Sequence, residues 1–540
     1  MNIRAQAAAV LDALALRGFE FLGPSTEGLL VLRGDLATSE GAHRCEVEVD
    51  PSFFELPSIR LLQAPPNLPR VAPHLASGVH LCYISRGSVV LDIFDPVGQT
   101  LACIKRAEEV LDQVLQGKMV DDLEEDFYAY WNGPFCVVDM QDTRLGRQET
   151  MLVESGGDAL AVVTDDRERT LRKLESLQWK VDEGAILTYR IRTRAKPRPH
   201  VTNWPPKTVG DILQWQGLLD RRCRKKIEQR LAEAFATHAK GALVLLESPL
   251  LTYGFGVFFE RPARKVRAPL PKKSVLHAQE ATPLSVVRID DRYMAQRNIP
   301  GQQTLAGKRI ALIGCGTIGG YLAEMLVKAG AGTSGGQLTV VDFESLFPQN
   351  LGRHRLGFNS LFRNKAKEIA GELERSAPGV NIRALPVDVK LAQLGQLDLL
   401  IDATGEEALG HWLCSRYVAS TPVLTAWIEG PGVAVRGLLR TSSAGACYRC
   451  LCDANRQGHL LTVKGKVPTV LAGQGCEGLY VPFSASVSVQ AASLAASMAL
   501  AWANGTTTPA LQTRVLDANY ERATADCDPH RSTGCPACPS

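Results

Sequence analysis

The stretch that most constrains this 540-residue chain is Lys308-Arg309-Ile310-Ala311-Leu312-Ile313-Gly314-Cys315-Gly316-Thr317-Ile318-Gly319-Gly320. A β-branched apolar run breaks into glycines and passes into an amphipathic segment through Leu322, Met325 and Leu326, the pattern of strand, tight turn and helix. Gly314 and Gly316 let the backbone turn and approach a phosphate, and Gly319 lets the helix lie close on the sheet. The helix N-terminus then presents unpaired N–H groups to the anion. The next strand, 337–342, ends in Asp342, about 20 residues on, where a ribose hydroxyl needs an acceptor. Up to this point NAD and ATP fit equally well.

The residues beyond Asp342 favour ATP. Asn350, Arg353 and Lys365 put an amide and two cations just after the ribose acid, suited to a triphosphate and to the charge that builds at its α-phosphorus. A further apolar strand, 397–402, leaves Asp402 at its C-terminal end, a useful place for a Mg²⁺ ligand. With these residues, roughly 285 to 538 resembles the ubiquitin-activating and sulfur-carrier adenylyltransferase family, of ThiF type. The resemblance implies a Rossmann-like adenylation domain. In it Asp342 binds ribose, Asn350, Arg353 and Lys365 the phosphates, and Asp402 magnesium. It also implies a homodimer in which an arginine reaches the partner's ATP. The segment Arg292-Tyr293-Met294-Ala295-Gln296-Arg297 departs from the usual Arg-Tyr-x-Arg, so Arg297 is the candidate.

The N-terminal part reads as a helix over 2–18, with Ala8, Leu11, Leu14 and Leu16 among its apolar positions. Three extended stretches come next, near 28–33, 45–49 and 58–62, spaced as an antiparallel meander. A proline-rich coil, 64–74, delivers the chain to Gly78-Val79-His80-Leu81-Cys82, and a second helix is expected over Leu101–Leu115. This order resembles the ubiquitin-conjugating enzyme fold over about residues 1 to 120. The resemblance makes Cys82 the thioester nucleophile, a thiolate being both a good attacking and a good leaving group. Pro73-His74 stands where that family has Pro-Asn, which makes His74 the candidate oxyanion partner. Cys45, Cys103, Cys136, Cys223 and Cys414 read as core.

Between them, 121–280 reads as a folded connector. It opens on the acidic run Asp121-Asp122-Leu123-Glu124-Glu125-Asp126, of a kind usually just solvated. A helix over 209–238, strands near 242–247 and 253–260, and an exposed basic linker over 261–273 complete it. The adenylation domain with its C-terminal tail then occupies 281–540. The fold class is thus multidomain, α+β at the N-terminus and α/β at the C-terminus.

Fourteen cysteines and no visible secretion signal point to a reducing, cytoplasmic setting, where paired cysteines bind metal more often than they form disulfides. Cys447-x-x-Cys450 and Cys535-x-x-Cys538 match a tetrahedral Zn²⁺ site that would pin the tail to the domain, with Cys452 and Cys527 as spare thiols. Cys476 stands in the glycine-rich Gly473-Gln474-Gly475-Cys476-Glu477-Gly478, a mobile setting for a nucleophile that must approach an acyl-adenylate. The activating enzymes carry their thioester cysteine on such a loop.

The net charge of +3 argues against a nucleic-acid binder, and polar interruptions between Val481 and Ala503 make a buried helix the better reading than a membrane span. An activating half and a conjugating half in one chain resemble bacterial ubiquitin-like conjugation enzymes, in particular those of cyclic-oligonucleotide anti-phage (CBASS) systems. That resemblance implies a donor protein with a C-terminal glycine, either a cGAS-like nucleotidyltransferase or a ubiquitin-like protein. The alternatives are a sulfur-carrier adenylyltransferase with a non-catalytic N-terminal docking module, and a nucleotide-binding scaffold.

Overall fold

The computed structural model describes residues 3–538 apart from 67, 70, 77, 78, 86, 183–185, 238, 261–271 and 473–479. The chain divides into two compact units. One comprises Met1–Cys136, Arg144–Met151 and Glu183–Val287, the other Val137–Thr143, Leu152–Asp182 and Arg288–Ser540.

In the first unit the strands Glu20–Pro24, Leu30–Thr38, Gly41–Val49 and Ser58–Leu61 form the expected antiparallel meander, extended by His80–Leu81 and then Leu75–Ala76. The helices Ile3–Leu16 and Pro96–Leu115 share a core with this sheet, Val10, Leu14, Ile104 and Leu111 meeting Leu32, Leu36, Val47 and Ile59. Leu16, expected among the apolar positions, is 91% exposed; the buried stripe of that helix runs through Val10 and Leu14 instead. The second helix starts five residues before its expected start, because Asp95 accepts from the Gly98 N–H and Pro96 needs no hydrogen bond at the first helical position.

A second core in the same unit is aromatic: Phe127, Trp131, Trp204, Trp215 and Tyr253 lie with ring centroids about 5 to 6 Å apart. It is backed by the strands Leu187–Arg192, Gly241–Glu247, Thr252–Phe258 and Ala281–Arg288. The helix expected over 209–238 is two helices, Val209–Leu219 and Arg221–Ala236. Asp220 breaks it by adopting extended backbone and accepting from the N–H groups of Arg222 and Cys223. The linker expected over 261–273 falls largely on 261–271, outside the described residues.

The second unit is built on a seven-stranded sheet. Its order is Ile382–Leu385, Gln337–Val341, Arg309–Ile313, Leu399–Asp402, Val423–Glu429, Ala434–Arg440 and Leu511–Val515, the first five parallel and Ala434–Arg440 antiparallel to both of its neighbours. Arg309–Ile313 lies between Gln337–Val341 and Leu399–Asp402, so the chain reverses its direction of travel across the sheet there. Ligands bind beyond the strand C-termini at such a point. The helix Ala485–Ala503 is long and apolar enough to cross a membrane by composition. It instead buries Ala491, Leu494, Ala495, Met498 and Ala499 in the sheet's core, and Gly437 makes room for the Met498 sulfur.

Also in this unit, Asp139 is fully buried and accepts from Lys173 Nζ at 2.9 Å and Arg169 Nε at 3.2 Å. The same Lys173 reaches Asp291 at 2.8 Å. Desolvated charges persist only when paired this closely, and the network holds the helix Arg167–Ser176 to the start of Asp291–Arg297.

Candidate active site

Strand Arg309–Ile313 ends at Gly314, whose φ of +88° only glycine adopts without strain. A side chain on Gly319 would stand 1.8 Å from the Gly314 carbonyl oxygen, so the helix Thr317–Lys328 can leave the turn only because this position is bare. The turn opens onto a cavity of about 490 Å³ whose wall includes Gly314, Gly316, Asp342, Glu344, Arg353 and Glu406.

Asp342 follows its strand and accepts from the N–H groups of Cys315 and Glu344, both at 2.8 Å; burial raises its pKa. Arg353 also faces the cavity. Its guanidinium stacks on Phe483 at 4.5 Å and Tyr480 at 5.0 Å, and Nη1 donates to the Val481 carbonyl at 2.9 Å. Nε is buried with no partner, and among the described residues no carboxylate neutralises the charge. A partly desolvated cation in this state is a site for an anion.

The remaining phosphate and magnesium candidates lie behind this wall. Lys365 is buried and paired with Glu344 at 2.5 Å, so its charge meets the cavity through that carboxylate. Asn350 accepts from the Phe347 N–H at 3.0 Å within its own turn and does not line the cavity. Asp402 is buried beneath the wall and accepts from the Thr404 N–H at 3.1 Å and Oγ1 at 2.7 Å. Burial raises its pKa to about 6. The carboxylates that reach the cavity are those of Asp342, Glu344, Asp388 and Glu406. Arg297 is exposed at the end of the helix Asp291–Arg297.

In the first unit Cys82 is exposed just after the short strand His80–Leu81. Its N–H donates to the His74 carbonyl at 2.8 Å. His74, at φ +59°, turns its ring to the acidic run: Nε2 is 2.9 Å from Asp122 and Nδ1 is 3.8 Å from Asp126. That run therefore frames the cysteine and is not merely solvated. Burial and, secondarily, the Asp126 charge raise the Cys82 thiol pKa.

Cys447, Cys450, Cys535 and Cys538 converge as buried thiols, with Sγ separations of 3.7 Å (447 to 450), 3.8 Å (447 to 535) and 3.7 Å (450 to 538). Tetrahedral Zn²⁺ with Zn–S bonds of about 2.3 Å requires edges of about 3.8 Å, so the four sulfurs fit the ion. Of the spare thiols, Cys452 lies instead with Glu407 and His411. Cys414, read as an isolated core residue, belongs to the apolar cluster that contains the four ligand cysteines.

Two family models match the chain, the ThiF family over residues 291–537 and prokaryotic E2 family B over residues 28–134. The ATP-dependent ubiquitin transferase-like protein Cap2 of Pseudomonas aeruginosa (strain BWHPSA011 / Pa011) is 55% identical over 543 residues, covering 100% of both chains. The chain belongs to the Cap2 family. The Cap2 protein of Vibrio cholerae serotype O1 is 29% identical over 82% of each chain. Among solved structures, E. coli MccB with ATP is 17% identical, with a TM-score of 0.33 over 46% of this chain and 69% of that one.

As a member of the Cap2 family the chain is an ATP-dependent enzyme of the ubiquitin-activating and -conjugating kind, with a Rossmann-like adenylation domain and an E2-like domain. Sequence reasoning brought Gly314, Gly316, Asp342 and Arg353 to one cavity, while Cys476 lies outside the described residues. It missed Glu406, Tyr480 and Phe483 on the cavity wall, and Asp122 and Asp126 beside Cys82. The aromatics carry no motif, and the acids resemble any solvated run until the fold sets them against His74.

Proposed function

We propose that this Cap2-family chain activates the C-terminal carboxylate of a protein and conjugates it to an amine. The carboxylate attacks the α-phosphorus of ATP and pyrophosphate leaves. The Cys476 thiolate then displaces AMP to form a thioester, which the Cys82 thiolate takes over, and an amine finally attacks the acyl carbon and releases the Cys82 thiol. Each thioester keeps the acyl group activated until aminolysis. The observation that carries this reading is the pairing, in one chain, of a cavity holding the un-neutralised Arg353 with an exposed cysteine, Cys82, framed by His74, Asp122 and Asp126. The nearby acids oppose the thiolate but favour a protonated amine arriving at a loaded thioester.

In the nucleotide site Gly314, Gly316 and Gly319 form the phosphate turn, Asp342 holds ribose, and Arg353 takes the phosphates. Lys365 balances Glu344, and Asn350 keeps the Arg353 segment folded. Mg²⁺ would supply positive charge to the phosphates, and Glu344, Asp388 and Glu406 are the cavity carboxylates of this chain that would hold it. Asp402 joins them only if Thr404 releases it. Zn²⁺ at Cys447, Cys450, Cys535 and Cys538 would tie the tail to the domain. The domain division 1–120, 121–280 and 281–540, a cytoplasmic homodimer with Arg297 directed at the partner's ATP, and a role in anti-phage (CBASS) defence belong to the same reading. So does a donor ending in glycine, either a cGAS-like nucleotidyltransferase or a ubiquitin-like protein.

The test incubates the protein encoded beside this one with ATP, Mg²⁺ and wild type, Cys476→Ala or Cys82→Ala enzyme, and monitors adducts on non-reducing gels. Thiol-sensitive adducts that vanish with Cys476→Ala and stall at one species with Cys82→Ala are expected. Adducts unchanged by either substitution, or AMP release with no adduct, would refute the relay and leave an adenylyltransferase.

A further inference from the structure

His354 is buried directly behind the glycine turn. The Leu356 N–H donates to its Nδ1 at 3.0 Å, and a backbone N–H can only donate, so the ring proton resides on Nε2. Nε2 lies 2.8 Å from the Cys315 carbonyl oxygen and therefore donates to it. Burial lowers the pKa of the ring to about 4, which keeps it neutral in this tautomer at ordinary pH. Arg355, the next residue, anchors the segment to Glu324 and Glu372.

The consequence lies in the peptide plane. In a trans peptide the carbonyl of residue 315 and the N–H of residue 316 point in opposite directions. A hydrogen bond that draws the Cys315 oxygen toward the buried His354 thus aims the Gly316 N–H the other way. Gly316 lines the cavity. Glycine at 316 leaves this peptide free to rotate, because no Cβ opposes the alternative φ. The preceding peptide is held separately, by the bond from the Cys315 N–H to Asp342. A side chain from the segment that carries Arg353 therefore sets the aim of the turn between Gly314 and Gly316.

We propose that His354 is a positioning residue for adenylation: its Nε2–H fixes the 315–316 peptide so that the Gly316 N–H points at the nucleotide phosphates. The proposal rests on the adenylation half of the function proposed above. It assigns phosphate recognition, and not adenosine recognition, to this histidine. A residue that merely fills the core would affect both.

The experiment measures ATP and adenosine binding by calorimetry on the full chain, as wild type and as His354→Leu, His354→Met and His354→Gln. Leucine and methionine both lack the donor, and methionine adapts to irregular space should leucine fail to fold. Glutamine retains an N–H for the Cys315 oxygen. We expect the donor-less variants to bind ATP about tenfold more weakly, the scale of one hydrogen bond, with adenosine affinity unchanged, and His354→Gln to recover most of the loss. Equal losses for ATP and adenosine, or ATP binding unaffected in both donor-less variants, overturn the proposal. A folded wild type that binds no ATP overturns the adenylation reading instead.

Discussion

Arg353→Met separates binding from stability. In the structure Arg353 contacts the cavity with a charge that, among the described residues, no carboxylate balances, and burial lowers its pKa. At about 4 Å and an effective dielectric of about 20, one phosphate charge attracts such a cation by about 4 kcal/mol. If rehydration of the variant recovers half, ATP binding still weakens by about 30-fold. The free protein loses little. Two exposed-type cation–π contacts at about 0.5–1 kcal/mol each and one hydrogen bond of about 1 kcal/mol are offset by removal of a partly desolvated cation. The assay is thermal unfolding with and without ATP and Mg²⁺. Wild type is expected to gain stability with ligand as RT ln(1 + [L]/Kd), whereas Arg353→Met starts at the wild-type Tm and gains little. A variant that still shows the full ligand-induced shift refutes the assignment. One that melts far below wild type without ligand shows that Arg353 is a structural cation and not an anion receptor.

Two further outcomes are expected of particular groups. Asp402 has its pKa raised to about 6 by burial, above the ordinary value near 3.9. Its contribution to stability is fully present below the unfolded pKa and is lost as pH rises through about 6, reaching about 3 kcal/mol by pH 8. Asp402→Asn keeps an acceptor for Thr404 and should raise Tm increasingly between pH 4 and pH 8; a flat difference across that range would contradict the burial argument. For the four-cysteine site, elemental analysis of chain purified under reducing conditions should give one zinc per chain. Cys535→Ser with Cys538→Ser should lose it and lower Tm, and a metal-free but equally stable wild type would show the thiols to be core.

The acid run of residues 121–126 shows where reading a sequence stops. Its charges are as visible as any, but charge alone does not say what it faces. Only the packing of Phe127 and Trp131 into the aromatic core sets the preceding turn beside His74 and Cys82. Asp402 shows the reverse. Its position at a strand end was legible, but the turn through Thr404 folds its carboxylate inward and leaves Glu406 on the wall.

By itself the sequence determined what local geometry demands. A phosphate turn needs glycines at Gly314 and Gly319, a tetrahedral site needs two Cys-x-x-Cys pairs, and a meander needs alternating strands between turns. Each is written in neighbouring residues, because the backbone rules behind them act over a few positions. The tertiary structure alone decided which side chains meet across long separations: Cys447 with Cys535 across a sequence separation of 88, Arg353 with Tyr480 and Phe483, and His354 beneath Cys315. Those contacts depend on how sheet and helices bury their apolar faces together, and a collective packing solution leaves no local signature in the chain.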